Sequence, residues 1–347
     1  MHIDEFLRTA TKKGASDLHL VVGQRPIIRI NGVLSPIEKT TALTPSQVQD
    51  LLFAIISEEQ KQKFMTEKEL DFSYEIKSLA RFRINLHFEK NFMGLVARVI
   101  PAVIPTMEEL QVPQIVYDLL KLNSGLLLIT GPTGCGKSTS LAAMIEYINN
   151  NKNCHIVTLE DPIEFIFAPK KSLIIQRQLN TDMISFGKAL THVLRQDPNV
   201  IVVGEMRDLE TISTTVTLAE TGHLVLATLH THTADQTIDR IIDAFPPHQQ
   251  NQIRLQLSMT LIGVISQKLI PTIKGGRIAT REILLKNAAV ANLIRENKVA
   301  QIKTVLQTSA QEGMFTMDQD LTRLYNDGAI SREVALSHIS NPKMLGR

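Results

Sequence analysis

The nine residues GPTGCGKST at 131–139 have the types and spacing of a loop that binds phosphate groups. They fit the pattern G-x-x-x-x-G-K-[ST], whose glycines let backbone amides wrap around phosphate oxygens at the start of a helix. In such a loop Lys137 places its charge on the β- and γ-phosphates, and the Ser138 hydroxyl binds Mg²⁺. The sequence therefore predicts a site for ATP and Mg²⁺. The predicted nucleotide-binding residues are Gly131, Pro132, Thr133, Gly134, Cys135, Gly136, Lys137, Ser138 and Thr139.

Hydrolysis of a bound nucleotide also needs carboxylates that support the metal ion and orient water. The apolar run VIVVG at 200–204 leads into Glu205, and Gly204 stands where such strands commonly carry an aspartate. A second run leads into TLEDPIEF at 158–165, whose acids are Glu160, Asp161 and Glu164. The carboxyl ends of parallel strands form one crevice, so both groups can converge on the phosphates. Ordinary helix capping remains the alternative, above all for Asp161.

Histidines and carboxylates concentrated at 223–239 resemble the ligands of a transition metal. His223 and His230, however, lie seven residues apart at the two ends of the apolar run HLVLATLH. Because an extended strand rises ~3.3 Å per residue, the two histidines are too far apart for both to bind one ion. His230, at the carboxyl end, can instead reach a phosphate. A sensor of bound nucleotide is therefore favoured over a metal site.

The elements that must position these residues form an α/β domain with a mostly parallel sheet. Apolar runs without alternation, separated by helical segments, predict strands that are covered on both faces. The runs are LLLIT (126–130), HIVTL (155–159), VIVVG (200–204) and HLVLATL (223–229). From about Ser258 the chain is predicted to be largely helical, with one short strand near 277–285.

The first hundred residues predict a separate, small α+β domain. RPIIRINGVLSPI at 25–37 reads as a hairpin around Asn31-Gly32, and residues 46–64 have helical spacing. ARFRINLHFEK at 80–90 alternates with a period of two, as a half-buried strand does, and 93–100 is its predicted partner. Three prolines at 101–113 predict a linker. The predicted boundaries are 1–100, a linker at 101–115, an ATPase core at 116–280 and a helical C-terminal region at 281–347.

Composition excludes several other classes. A net charge of +2 and 5% aromatic residues give no basic, base-stacking surface for nucleic acid. Two cysteines are too few for a disulfide framework, and no apolar stretch approaches the ~18 residues of a membrane span. The first twenty residues are amphipathic and lack the pattern of a signal peptide. A cytoplasmic protein without a transmembrane segment is predicted.

Four strand-end motifs occur together and in order, namely GPTGCGKST, TLEDPIEF, DPNVIVVGEMRD and TGHLVLATLHT. Their combination resembles the secretion-type AAA-like ATPases, and within them the type IV pilus retraction ATPases, the PilT group and its PilU-like paralogues. The resemblance extends from KKGASDLHL (12–20) to NLIRENKVAQI (292–302). It implies a PAS-like N-terminal domain, a RecA-like P-loop NTPase domain, and a homohexamer that hydrolyses ATP.

The same resemblance implies partners and a working place. The motor would lie at the cytoplasmic side of the inner membrane and drive the pilus platform protein there, so that the pilus retracts in twitching motility. A paralogous retraction ATPase is a further implied partner. ATP binding would close the N-terminal domain over the phosphate loop, and hydrolysis would reopen it.

The resemblance also implies catalytic roles outside the phosphate loop. Glu164 is the implied general base, and Glu205 supports Mg²⁺ and water. His223 and His230 are the implied sensors of the γ-phosphate. Arg83 and Arg98 are the implied arginines that close over the phosphates. Arg83 lies on the polar face of its predicted strand, in agreement with that role. Arg98 shares a face with Val96 and Ile100, so an ordinary surface charge remains its alternative.

Several positions depart from the family pattern. The Arg-x-x-x-Arg pair before Asp-Pro is reduced here to Arg195, because Thr191 replaces its first member. Phe167 and Gln178 replace a histidine and a glutamate, and Ala291 replaces an arginine of the C-terminal motif, which reads AVANLIR here. Arg195 is kept as a catalytic candidate. The change at position 291 leaves an accessory, PilU-like role open.

Other functions remain as alternatives. A pilus-assembly or type II secretion ATPase would usually carry a four-cysteine zinc element and a longer N-terminal extension. A nucleic-acid motor shares the core fold, and a regulator that binds nucleotide without turnover would lack the acids present here. Cys135, at the start of a predicted helix, is either a reactive thiolate or a small residue tolerated in the loop.

Overall fold

The computed structural model describes residues 2–30, 32–77, 79–100 and 103–345. Contacts divide the chain into two compact units, Met1–Ile104 with Pro162–Ile166, and Pro105–Asp161 with Phe167–Arg347. Within the predicted linker, Pro101 and Ala102 lie outside the described residues, and residues from Pro105 onward group with the second unit. Asn31, in the predicted hairpin turn, also lies outside them.

The first unit contains an antiparallel sheet of six strands in the order β3-β2-β1-β6-β5-β4. The strands are β1 (Asp17–Leu20), β2 (Ile27–Ile30), β3 (Val33–Pro36), β4 (Glu69–Ile76), β5 (Ala80–Glu89) and β6 (Phe92–Ile100). The helices are α1 (Ile3–Lys12), α2 (Pro45–Phe53) and α3 (Glu58–Glu67). The predicted hairpin and the β5–β6 pair are confirmed.

Alternation along β5 gives this sheet one apolar and one polar face. Phe82, Ile84 and Leu86 are fully buried in the same core as the apolar side of α1. The intervening residues, among them Arg83, are half-buried on the other face. The segment predicted to be helical at 46–64 forms two helices, because Ser57 begins a new one with its own capping box.

The second unit contains a sheet of seven strands in the order β13-β12-β7-β11-β10-β8-β9. The strands are β7 (Gly125–Thr130), β8 (His155–Glu160), β9 (Leu173–Gln178), β10 (Val200–Val203), β11 (Leu224–Leu229), β12 (Leu261–Pro271) and β13 (Arg277–Leu285). All neighbours run parallel except β12 and β13. All residues of β7, β10 and β11 are buried, as expected for strands covered on both faces.

Helices and short 3₁₀ turns complete this unit. The helices are α4 (Gln114–Lys121), α5 (Lys137–Asn151), α6 (Phe186–Val193), α7 (Leu209–Glu220), α8 (Ala234–Asp243), α9 (Pro247–Thr260), α10 (Ala288–Arg295), α11 (Ile302–Thr308), α12 (Met317–Asn326) and α13 (Arg332–His338). The 3₁₀ turns are Leu194–Gln196, Val299–Gln301, Ala310–Glu312 and Pro342–Leu345. Among the described residues, none of the helices has both the length and the apolar character needed to cross a membrane.

One part of the predicted fold is wrong. The sequence predicts a largely helical chain after Ser258 with one short strand, but β12 is an eleven-residue strand next to β7 in the interior of the sheet. Its run LIGVISQKLIP is buried over most of its length and so shows no alternation, and periodicity cannot separate such a strand from a buried helix. The predicted start of a helical region at 281 also falls inside β13. The α/β fold class itself is confirmed.

Candidate nucleotide-binding site

The phosphate loop, residues 131–139, connects the carboxyl end of β7 to the start of α5. Gly131, Gly134 and Gly136 have φ angles of +143°, +78° and +87°, a region that side chains other than glycine rarely adopt. At Gly131 a Cβ atom would also lie 2.2 Å from the Gln267 carbonyl oxygen. No side chain caps the amino end of α5 in the described structure, so its first amides remain available to an anion.

Lys137 is buried and points into the loop. Its Nζ donates to the Gly131 carbonyl oxygen at 2.7 Å and to that of Pro132 at 3.2 Å. The same atom lies 3.3 Å from Nδ1 of His230. Two backbone carbonyl oxygens of the loop therefore hold the ammonium group at the place where a phosphate would bind.

Glu205 and His230 extend this arrangement. Oε1 of Glu205 lies 3.1 Å from Nε2 of His230, and its Oε2 lies 2.7 Å from an Arg207 nitrogen. With the Lys137 ammonium facing Nδ1, the ring fits best with its proton on Nε2, donated to Glu205. His230 therefore connects the phosphate-loop lysine to the acid at the end of the neighbouring strand β10.

Electrostatics keep Glu205 ionised. Burial would raise the pKa of this carboxyl, but the hydrogen bond and charge of Arg207, together with His230, outweigh it and lower the pKa below its ordinary value. The ionised Glu205 carboxylate and the exposed Ser138 hydroxyl are oxygen donors, which is the kind of ligand that Mg²⁺ prefers. Ser138 and Glu205 therefore fit the predicted metal role.

The glycine that replaces an aspartate before Glu205 has a local cause. A Cβ atom at Gly204 would lie 3.0 Å from the Leu159 carbonyl oxygen and 3.3 Å from Cα of Glu160. The backbones at the ends of β10 and β8 approach so closely that a Cβ atom there would be crowded and one strand end would have to shift slightly. The departure is therefore part of how the two strand ends pack.

Several other predicted site residues do not lie at the phosphate loop in the second unit. Glu164 belongs to the segment Pro162–Ile166, which groups with the first unit, as Arg83 and Arg98 do. Arg195 is exposed in the turn Leu194–Gln196. Asp161 lies in a bend and does not begin a helix, so the helix-capping alternative is wrong for it.

His223 lies at the opposite edge of the sheet from the phosphate loop. Leu224 pairs with Gly125, the first residue of β7, whereas the loop follows the last. The strand β11 lies between His223 and His230, and seven residue steps of ~3.3 Å separate them by about 23 Å. His223 bonds instead to the Leu218 carbonyl oxygen and the Thr221 hydroxyl. It does not reach a γ-phosphate bound at the loop of its own chain.

Gln267 is a site residue that the sequence did not indicate. It is 1% exposed, on β12, and its amide group donates to the Cys135 carbonyl oxygen at 2.8 Å and accepts from the Ser140 hydroxyl at 3.0 Å. It thereby fixes the phosphate loop to the neighbouring strand. Because its strand was predicted to be helical, no sequence signal placed it there.

The structure favours the unreactive interpretation of Cys135. The residue is 3% exposed, and burial raises the pKa of its thiol despite the nearby Lys137. At neutral pH we expect iodoacetamide to leave Cys135 unmodified in the native protein and to modify it after unfolding, as measured by peptide mass spectrometry. The partly exposed Cys154 serves as the internal comparison. Rapid native modification of Cys135 that ATP prevents would contradict this expectation.

The histidines and acids of residues 223–239 are divided between the two ends of β11 and the helix α8. Across the described residues, no group of three or more histidines, cysteines and acids is arranged to hold a metal ion. Asp235 and Asp239 lie on α8, and burial together with the like charges of Asp243 and Asp235 raises the pKa of Asp239. His230 alone of the segment's histidines reaches the phosphate loop among the contacts of the described chain.

A phosphate loop after an interior strand of a mostly parallel sheet, with an acid and a histidine at neighbouring strand ends, defines a RecA-like P-loop NTPase. The family model for "Type II/IV secretion system protein" matches residues 1–304. The chain belongs to this family.

Individual relatives cover nearly the whole chain. The protein described as type IV pilus retractation ATPase PilT of Pseudomonas aeruginosa is 47% identical over 99% of this chain and 99% of its own length. The type IV pilus ATPase PilU of the same organism is 41% identical over 97% of this chain and 88% of its own. A crystal structure of the pilus retraction motor PilT with bound ADP matches with a TM-score of 0.91 and 44% identity, covering 99% of this chain and 98% of that one. The resemblance to pilus retraction ATPases is therefore confirmed.

Proposed function

We propose that the chain is an ATP-hydrolysing motor that powers retraction of type IV pili. The arrangement of Lys137, His230 and Glu205 carries the enzymatic part, because it joins phosphate binding to a carboxylate that can support hydrolysis. Likeness over the full chain to a protein named for pilus retraction supports the kind of work. A homohexamer that acts on the inner-membrane platform protein from the cytoplasmic side completes the proposal.

The proposed reaction assigns a step to each group. Lys137 leaves the Gly131 and Pro132 carbonyl oxygens for the nucleotide phosphates, and His230 loses its lysine donor when this happens. Ser138 and Glu205 would hold Mg²⁺, which neutralises phosphate charge. Glu164 accepts the proton of the attacking water, and Arg83 and Arg98 stabilise the charge that develops on the γ-phosphate. Arg195 stays a proposed contributor, whereas His223, at the other end of β11 from the phosphate loop, is assigned no step.

An accessory, PilU-like role is the second candidate, and Ala291 is the observation that favours it. This residue is 7% exposed on α10, so an arginine there would place its stem in a nearly buried position. The small side chain of Ala291 thus suits its nearly buried position. The 41% identity to PilU supports the same candidate. A paralogous retraction ATPase would then be a working partner.

Measurements on purified protein and on cells test these proposals. We expect the wild-type chain to form a hexamer by native mass spectrometry and to hydrolyse ATP, without stimulation by single-stranded DNA. In the chain's own bacterium, deletion of its gene should stop or weaken pilus retraction, measured as force in an optical trap. Return of the wild-type gene, but not of its Lys137→Ala variant, should restore it. Loss of force with residual retraction would favour the accessory role, and unchanged retraction after deletion would refute both.

A further inference from the structure

One row of charged side chains crosses the polar face of the first unit's sheet. Strand register places Arg29 opposite Asp17, Asp17 opposite Arg98, and Arg98 opposite Arg83. Directly opposed residues on one face have Cβ atoms ~4.5–5.5 Å apart. The four residues, called the arginine row below, therefore form one continuous contact line with three positive charges and one negative charge.

Asp17 is the centre of the arginine row. It is a buried residue, and its Oδ1 accepts a hydrogen bond from Nε of Arg98 at 3.0 Å. Its Oδ2 accepts from the Ser16 hydroxyl at 2.8 Å and lies 3.8 Å from Nε of Arg29. A carboxylate this enclosed is held in one orientation, and it fixes the groups that bond to it.

Arg98 is anchored through Nε alone. In the described parts of the chain, its two terminal nitrogens have no hydrogen bond or ion pair, and 64% of its side-chain surface is exposed. A guanidinium group held at Nε presents its two terminal NH₂ groups as a fork, which matches two oxygens of a phosphate. The ion pair with Asp17 thus orients Arg98 through Nε and leaves its two terminal NH₂ groups available to bind an anion.

Arg83 adds a second charge with no carboxylate of its own. It forms no ion pair with a described residue, although Asp71 and Glu75 lie two positions either side of its β4 neighbour Ser73. Like charges directly opposite each other on a sheet are unfavourable, so the Arg98–Arg83 pair costs stability until an anion lies between them. The row therefore fits an anion of at least two charges, such as a terminal phosphoryl group.

We propose that Asp17 is a positioning residue for ATP hydrolysis, acting by holding the guanidinium group of Arg98, the proposed partner of the γ-phosphate, in one orientation. The proposal rests on the proposed function and adds to it a residue that touches neither nucleotide nor metal. Asp17 orients Arg98, and Arg98 is proposed to stabilise the charge that develops on the γ-phosphate in the transition state. The loss of Asp17 is therefore expected to change kcat more than KM.

The test compares Asp17→Asn with Asp71→Asn, the same chemical change on the same sheet face but one row away. We expect Asp17→Asn to lower kcat for ATP about tenfold with KM within about twofold, and Asp71→Asn to match the wild type. Arg98→Gln should lower kcat about 100-fold or more. In the double variant, Asp17→Asn should add nothing to Arg98→Gln, because the group that it orients is gone.

Arg98→Lys keeps the proposal falsifiable if Asp17→Asn unfolds, which thermal melting will reveal. Arg98 is exposed, so this variant should fold, and lysine retains the charge but has no fork that can bind Asp17 and phosphate together. We expect its kcat to fall nearly as far as that of Arg98→Gln. Wild-type kcat in Arg98→Lys, or additive losses in the double variant, would overturn the proposal while the ATPase assignment stands. An inactive wild-type chain would instead refute the proposed function.

Discussion

Replacement of Lys137 by alanine is expected to lower ATP turnover about 100- to 1,000-fold and to weaken nucleotide binding. The Lys137 ammonium lies in the phosphate loop, bonded to the carbonyl oxygens of Gly131 and Pro132, and it is the group that those acceptors release to a phosphate. Loss of one preorganised donor in a sheltered site has an effect of this size. Phosphate release and equilibrium binding of a fluorescent ATP analogue measure the two quantities.

Lys188→Ala is the matched control. Lys188 is an exposed lysine in the first turn of α6, in the same unit as the phosphate loop. The same loss of a charge there should leave turnover and binding unchanged, and both variants should melt near the wild-type temperature. Turnover at the wild-type rate in Lys137→Ala would show that the loop geometry does not serve hydrolysis.

The parts of the site that could be predicted from the sequence are those that local order fixes. Each motif follows an apolar run, and the carboxyl ends of parallel strands share one edge of a sheet. This is sufficient to bring Lys137, Glu205 and His230 together, as the structure does. The same argument places His223 at the other end of β11, about 23 Å from His230, against the sensor role that the family resemblance implies.

The parts that could not be predicted depend on pairing between distant segments. Gln267 reaches Cys135 across 132 residues, and Asp17 reaches Arg98 across 81. Which residues face each other follows from strand order and register, and neither is encoded by local periodicity. A buried strand such as β12 also lacks the alternation that would reveal it. Specific motifs thus predict the chemistry, while the residues that hold the catalytic groups in place emerge from the fold.

Two glutamates of the TLEDPIEF motif are candidates for the general base that accepts the proton of the attacking water. Glu160 and Glu164 come from the same motif, but Glu160 is already engaged, since its Oε1 accepts from the Thr158 hydroxyl at 2.6 Å and from the Gln176 amide at 3.0 Å. A carboxylate that stabilises the end of β8 in this way is poorly suited to take a proton during each cycle. Glu164 is half-buried in the segment that follows.

Glu164→Gln is therefore expected to bind ATP with an affinity within about threefold of the wild type and to hydrolyse it about 100- to 10,000-fold more slowly, because glutamine keeps the shape but cannot accept the proton. Glu160→Gln, the matched change four residues earlier, should lower turnover less than about tenfold. Single-turnover hydrolysis of radiolabelled ATP separates the chemical step from product release. A Glu164→Gln variant that hydrolyses at the wild-type rate, with Glu160→Gln inactive, would move the base to Glu160 and leave Glu164 without a catalytic role.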